Sequence, residues 1–226
     1  MKKTALILTA LFSVSAAQAL DTQSFHMENG KQYIELNTPE SVQPEVVEFF
    51  SFYCPHCYNF EYQYDIPEKV KASLPKGVAF KQYHVEFLGP QGKLLTRAWS
   101  LALALGVENK VRKPLFDAVR EAVAKREEGQ PNLETIRKIF LDAGVPEEEF
   151  NGINSFVVTA LMNKQIKLAE KLDIHGVPDF YVDGKYRVNP EGQPKTEQGF
   201  VDGYIKTINA LLQKREKVGL MPTDLK

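Results

Sequence analysis

The chain has 226 residues, with 28 Lys and Arg against 29 Asp and Glu, a formal net charge of −1, 43% hydrophobic and 25% charged residues. This composition excludes collagen-like, disordered and polytopic membrane proteins, and the length suffices for one large domain or two small ones around a real core. The balanced charge argues against nucleic acid as a partner, and two cysteines can neither staple a mini-protein nor alone supply a four-ligand zinc site.

Lys2 and Lys3 precede an uncharged apolar run over residues 5–16, and Ala17-Gln18-Ala19 is a small-x-small cleavage pattern. This reads as a cleavable signal peptide over residues 1–19, because the run is shorter than the roughly 20 apolar residues that span a bilayer. Export places the remaining chain, from Leu20, in a compartment that permits disulfides.

A short strand is expected over residues 31–36. After Pro39 and Pro44 the β-branched and aromatic run of residues 46–52 reads as a buried strand. The pattern then predicts a helix to about residue 74, bent near Pro67, and a strand over residues 78–85. Leu94, Leu95, Ala98, Trp99, Ala102 and Leu105 have helical spacing, with Gly106 as the C-cap, and Val111, Leu115, Phe116, Val119 and Val123 repeat it. Residues 126–131 form a connection. Asn132 caps a helix ended by Gly144, and a further helix covers about residues 154–172. Phe180 to Val188 reads as a hairpin turning at Asp183-Gly184, and a last helix carries Phe200, Tyr204, Ile208 and Leu212. The order β–α–β, helices, β–β–α suggests one mixed sheet with a helical insertion.

Cys54-Pro55-His56-Cys57 stands at a strand-to-helix junction. There the free N–H groups and the dipole of a helix N-terminus stabilise an anion, so Cys54 is expected to be the low-pKa exposed nucleophile. Pro55 suits the first helical position, and Cys57, one turn in, is expected to be the buried resolving thiol. An imidazole at His56 beside the thiolate would stabilise the reduced form further, which makes the disulfide a stronger oxidant. Three other readings compete. A structural disulfide closing so small a loop would stabilise weakly. Half of a metal site would draw on His26, His56, His84 or His175, none at ligand-like spacing. Haem attachment needs His where Tyr58 stands.

The run Phe49-Phe50-Ser51-Phe52-Tyr53-Cys54-Pro55-His56-Cys57-Tyr58, the later Gly176-Val177-Pro178 and the segment Asn154-Ser155-Phe156-Val157-Val158 closely resemble the DsbA family of periplasmic thiol:disulfide oxidoreductases, over nearly the whole mature chain. The resemblance implies an α/β thioredoxin fold interrupted by an all-helical domain. Residues 20–86 and 163–226 would form the thioredoxin-like part and residues 87–162 the insertion. It implies a cis peptide before Pro178 facing the cysteines, with Gly176, Val177 and Pro178 binding the client and the Val177 backbone pairing with an extended peptide. From pattern alone, Gly176-Val177-Pro178 could equally be an ordinary turn.

The resemblance also implies a buried acid at Glu48, where burial would raise the pKa and allow it to shuttle the proton of Cys57, although the pattern alone also permits an outward-facing residue. Glu61, four residues after Cys57, is near the same face or is an ordinary surface acid. Two positions depart from the family. Gln82 stands where Lys is frequent, which puts an ion pair beneath the cysteines in doubt, and Asp179 follows the loop proline, where it would raise the Cys54 pKa or face solvent.

The expected activity is that of a periplasmic protein-disulfide oxidase. It would act on reduced, unfolded exported proteins, be reoxidised by a quinone-linked membrane partner, and work as a monomer without cofactor, metal or nucleic acid. The rivals are a periplasmic disulfide reductase or isomerase, and a non-enzymatic metal- or peptide-binding protein. No spare segment is seen for an isomerase's dimerisation domain, and the four Met residues are too scattered for a copper site.

Overall fold

The computed structural model describes residues 26–127 and 129–217, so the expected signal peptide lies outside the described residues. Five strands, β1 Tyr33–Glu35, β2 Glu45–Phe50, β3 Ala79–His84, β4 Asp179–Val182 and β5 Tyr186–Val188, form one sheet in the order β1-β5-β4-β2-β3. Among these five strands β2 and β3 run parallel, and the other neighbours are antiparallel. The strands that flank the helical segment in sequence therefore share one sheet.

The helices among the described residues are α1 Pro55–Tyr62, α2 Ile66–Ser73, α3 Gly92–Leu105, α4 Glu108–Lys125, α5 Leu133–Asp142, α6 Glu147–Phe150, α7 Phe156–Lys171 and α8 Glu197–Lys217. β2 is covered on both faces, which is why it reads as a continuous apolar run. Val46 packs in a core with Phe60, Ile66, Val70, Tyr204 and Ile208 of α1, α2 and α8. Val47 and Phe49, on the other face, pack with Tyr83, Leu172 and Tyr181, against which Leu168 of α7 rests. Phe50 and Phe52 enter a third core with Trp99, Leu115, Phe116 and Phe140 of α3, α4 and α5. The end of β2 is thus where the sheet meets the helical layer, and the cysteines follow directly.

The helix expected as far as residue 74 is two helices. They separate at Asp65, whose φ of 55° is left-handed. Pro67 belongs to the first turn of the second helix, where its missing N–H costs nothing. The segment before α7 also differs from expectation: α6 and a 3-10 turn over Asn151–Asn154 precede it, and Ser155 caps α7 through the N–H of Val158. α7 runs unbroken through Met162, where the sequence reading ends the insertion. The hairpin turns at Asp183-Gly184 as read, with φ of 53° and 63°, but Lys185 belongs to the turn and not to the strand, since Val182 pairs with Tyr186 across it.

β3 is an edge strand, and two of its outward backbone groups are met by side chains from the helical layer. Trp99 Nε1 donates to the Gln82 carbonyl at 2.8 Å, and the His84 N–H donates to Gln165 Oε1 at 2.9 Å. The opposite edge, β1, is only 3 residues long.

Candidate active site

Cys54 is the N-cap of α1, in extended conformation with φ −89° and ψ 112°, and Pro55 occupies the first turn. The N-cap position aims the side chain back at the open N–H groups of the first turn, and Cys54 Sγ accepts from the Cys57 N–H at 3.1 Å. On its other side Sγ donates to the Val177 carbonyl at 3.3 Å. Both thiols are free, and Cys54 is not the exposed thiol expected: its N-cap position and the Val177 carbonyl enclose it to 7% exposure, against 2% for Cys57. Their acidities are driven apart. The Cys57 thiol, with the backbone amides of Cys57 and His56, holds Cys54 below the ordinary thiol value, while burial and the Cys54 sulfur push Cys57 far above it. His56 acts on Sγ through its backbone rather than through a ring contact, and the residue itself is exposed.

The loop that delivers Cys54 is held from beneath. His84, fully buried, accepts from the Phe52 N–H at Nε2 (3.2 Å) and lies 2.8 Å from Thr96 Oγ1 at Nδ1. Its ring stacks on Phe52 at 5.0 Å, and burial lowers its pKa to about 3, so it is neutral. Tyr53 packs on Gly89, where an added Cβ would fall 2.4 Å from the ring, and its hydroxyl accepts from the Gln91 N–H at 3.3 Å. Neither His84 nor Gly89 has a local sequence signal for this task, because each acts on a residue more than thirty positions away.

Glu48 lies beneath the cysteines, 1% exposed. Parallel register places Gln82 beside it, and Gln82 Nε2 donates to Glu48 Oε2 at 2.8 Å. Burial and then the nearby Glu61 carboxylate push Glu48 up to about 8, with Gln82 and Arg112 opposing. Glu61 is not a surface acid: it accepts from Gln82 Nε2 at 3.0 Å and pairs with Arg112 Nη1 at 2.6 Å. The ion pair that Gln82 left in doubt is therefore present, with its cation supplied by α4. Sequence reasoning missed Arg112, whose partners lie 30 and 51 positions away. Lys81, on the other side of the strand, pairs with Glu45.

Val177–Pro178 is cis, as is Gln130–Pro131. Val177 and Pro178 are half-buried, Val177 packing with the cysteines, whereas Gly176 is exposed, and a Cβ there would meet nothing within 4 Å. Asp179 neither faces solvent nor bears on Cys54. It is buried, 4% exposed, and accepts from Arg187 Nε at 2.8 and 2.9 Å and from the Tyr181 hydroxyl at 3.0 Å. Two clefts flank Cys54. One of about 590 Å³ is lined by His56, Phe60, Val177, Pro178 and Phe200, and one of about 250 Å³, on the insertion side, by Tyr53, Tyr58, Val119, Arg120 and Val123.

A buried dithiol of unequal acidity at a helix N-terminus, faced by a cis-proline loop, is a thiol-exchange geometry, and the comparison with known proteins agrees. The model of the DSBA-like thioredoxin domain matches residues 45–199. The chain belongs to the DSBA-like thioredoxin family. The thiol:disulfide interchange protein DsbA of Haemophilus influenzae is 50% identical over 215 residues, which is 95% of this chain and 100% of that protein. DsbA of Salmonella typhi is 46% identical over 220 residues, again 95% and 100%. Among solved structures, Proteus mirabilis DsbA with a non-covalently bound peptide superposes with a TM-score of 0.76 at 39% identity, covering 83% of this chain and 99% of that one. Like these DSBA-like relatives, the chain is a thiol:disulfide oxidoreductase with an interrupted thioredoxin fold.

Proposed function

We propose that the protein is a periplasmic protein-disulfide oxidase that passes the Cys54–Cys57 disulfide to reduced exported proteins. The observation that carries this direction is the split in acidity between the two thiols. A reduced form with a stabilised Cys54 thiolate makes the disulfide the less stable, more oxidising partner. A client thiolate attacks Cys54 Sγ of the disulfide, forming the Cys54–client bond as the Cys54–Cys57 bond breaks. Cys57 leaves as a thiolate that its buried site disfavours, and it takes a proton. A second client thiolate attacks the client sulfur of the mixed disulfide, and Cys54 leaves as the thiolate that its site favours. The client loses two electrons and becomes a disulfide, and the enzyme gains them as a dithiol.

Glu48 is the proton donor to Cys57 in this reading: its pKa near 8 leaves it largely protonated at neutral pH, and its charge bears on Cys57. Val177 meets the client backbone in this reading, which its carbonyl 3.3 Å from Cys54 Sγ supports. Gly176, exposed beside Val177 with open space around its Cα, completes the client-binding loop in this reading. Clients that arrive unfolded after export, reoxidation by a quinone-linked membrane protein and action as a monomer complete the reading. The insertion is taken to end with α7 at Lys171.

A redox titration against glutathione tests the direction. The pair is expected to remain largely reduced in buffers where a reductase of this fold would already be a disulfide. An equilibrium as reducing as that of thioredoxin overturns the oxidase reading.

A further inference from the structure

Gln82 carries two acids on one nitrogen. Its Nε2 donates to Glu48 at 2.8 Å and to Glu61 at 3.0 Å. A neutral amide can bridge two carboxyl groups but cannot balance their charge. The cation is Arg112, and it stands to one side of the bridge. Arg112 Nη1 donates to Glu61 Oε1 at 2.6 Å, and Nη2 donates to Gln82 Oε1 at 2.7 Å. The guanidinium lies 5.5 Å over the Trp99 ring, and Trp99 Nε1 holds the Gln82 carbonyl. Both ends of Gln82 are thus gripped from α3 and α4.

This asymmetry has a chemical consequence. A lysine ammonium between the two carboxylates would neutralise both. Arg112 touches Glu61 directly and reaches Glu48 only through the amide, so it neutralises one acid and leaves the other as the group that takes up a proton. Two carboxyl groups bridged by one donor have their acidities driven apart in just this way when only one has a cation. We propose that Arg112 is a positioning residue for the thiol chemistry: by pairing with Glu61 and fixing the Gln82 amide it assigns the exchangeable proton to Glu48, and so ties proton delivery at Cys57 to the helical insertion. The proposal rests on the reading of Glu48 as the proton donor.

Among the described residues, the groups that share this environment are few. Glu48 also faces Cys54 and Cys57 on α1 and Tyr204 on α8, beyond which lies the Asp179–Arg187 pair. Glu61 and Arg112 open on a cavity of about 450 Å³ whose other charged lining residues are Glu68, Lys71, Lys81, Glu108 and Lys164. Lys81 is engaged by Glu45, and Lys71 lies 3.9 Å from Glu68. None of these touches the amide, so Arg112 is the cation whose removal should be felt at Glu48.

The test is the pH profile, from pH 5 to 9, for oxidation of a reduced cysteine-containing peptide by the oxidised protein. In Arg112→Met the limb that reports the acid is expected to move up by about one pH unit, as loss of a nearby opposite charge implies. In a Glu48→Gln background the same substitution should produce no further movement. A limb that stays in place in Arg112→Met, or one that moves equally when Glu48 has already been replaced, overturns the proposal. Should Arg112→Met fail to fold, Arg112→Gln reads instead: it removes the same charge while keeping a polar group for Glu61 and Gln82, and it too must shift the limb upward. Wild-type protein that does not oxidise the peptide at all defeats the oxidase reading, whereas active protein with an unmoved limb in the variants defeats only the assignment of Arg112.

Discussion

Replacing Glu48 with Gln should stabilise the protein at neutral pH, by an amount that grows with pH. The folded-state pKa of about 8 stands above the ordinary 4.5, so the folded protein holds a proton on Glu48 that the unfolded chain releases. Such a group contributes fully below the unfolded value, and its contribution declines as pH rises toward the folded one. At pH 7 the gap is about 2.5 units, or about 3 kcal/mol of cost that a neutral side chain of the same shape avoids. The introduced amide could still accept the Gln82 hydrogen bond through its oxygen. Urea unfolding of the reduced protein at pH 5, 6.5, 7 and 8 would read the difference. Wild type should lose about 2 kcal/mol relative to the variant between pH 6.5 and 8, and the two should converge near pH 4.5. A difference independent of pH, or a variant less stable than wild type at pH 8, would refute the argument that Glu48 is held protonated by burial.

The same geometry sets three further outcomes. His84, lowered by burial to about 3 from an ordinary 6.5, is the opposite case: its contribution is present above pH 6.5 and is lost as pH falls, at about 2 kcal/mol by pH 5. His84→Gln should remove that acid-side loss in unfolding experiments. Cys57→Ala, its Cys54 first loaded as a mixed disulfide with glutathione, should pass that bond to a reduced single-cysteine client with release of glutathione, and mass spectrometry of the proteolysed adduct should find the client on Cys54. Arg187→Met should cost about 2 kcal/mol by leaving the buried Asp179 carboxyl unpaired, less than for a fully enclosed pair because Arg187 is 39% exposed, and it should leave the Cys54 thiolate absorbance titration unmoved.

Much of the fold is visible in local patterns. The run around Val46 to Phe50, the Asp183-Gly184 turn and the Gly106 C-cap, at φ 66°, are decided by neighbours a few residues apart, and the structure has them where the sequence puts them. The break at Asp65 is less visible, because any residue can end a helix if tertiary packing favours two short axes over one. The short α6 is hidden by the acidic run Glu147, Glu148, Glu149, which carries no apolar period. At the site, the cis peptide before Pro178 comes from the family resemblance, since its three residues alone read equally as an ordinary turn, whereas Cys54 and Cys57 are legible because their chemistry is written in adjacent residues. Arg112 and His84 are not. An arginine on an exposed-looking helix and a histidine closing a strand become informative only when the chain has brought Glu61, Gln82 and Phe52 to them.

The covered edge of β3 has a bearing on which polypeptides the protein can hold. Its substrates in the proposed reaction are unfolded chains, rich in backbone groups seeking a strand to join. An open sheet edge would offer them a place to anneal with no cysteine nearby. Trp99 and Gln165 occupy bonding positions on that edge, and the three-residue β1 leaves little room on the other. Decoy pairing is thus discouraged along the flanks, and a visiting chain is steered toward the end of the molecule where exchange can release it.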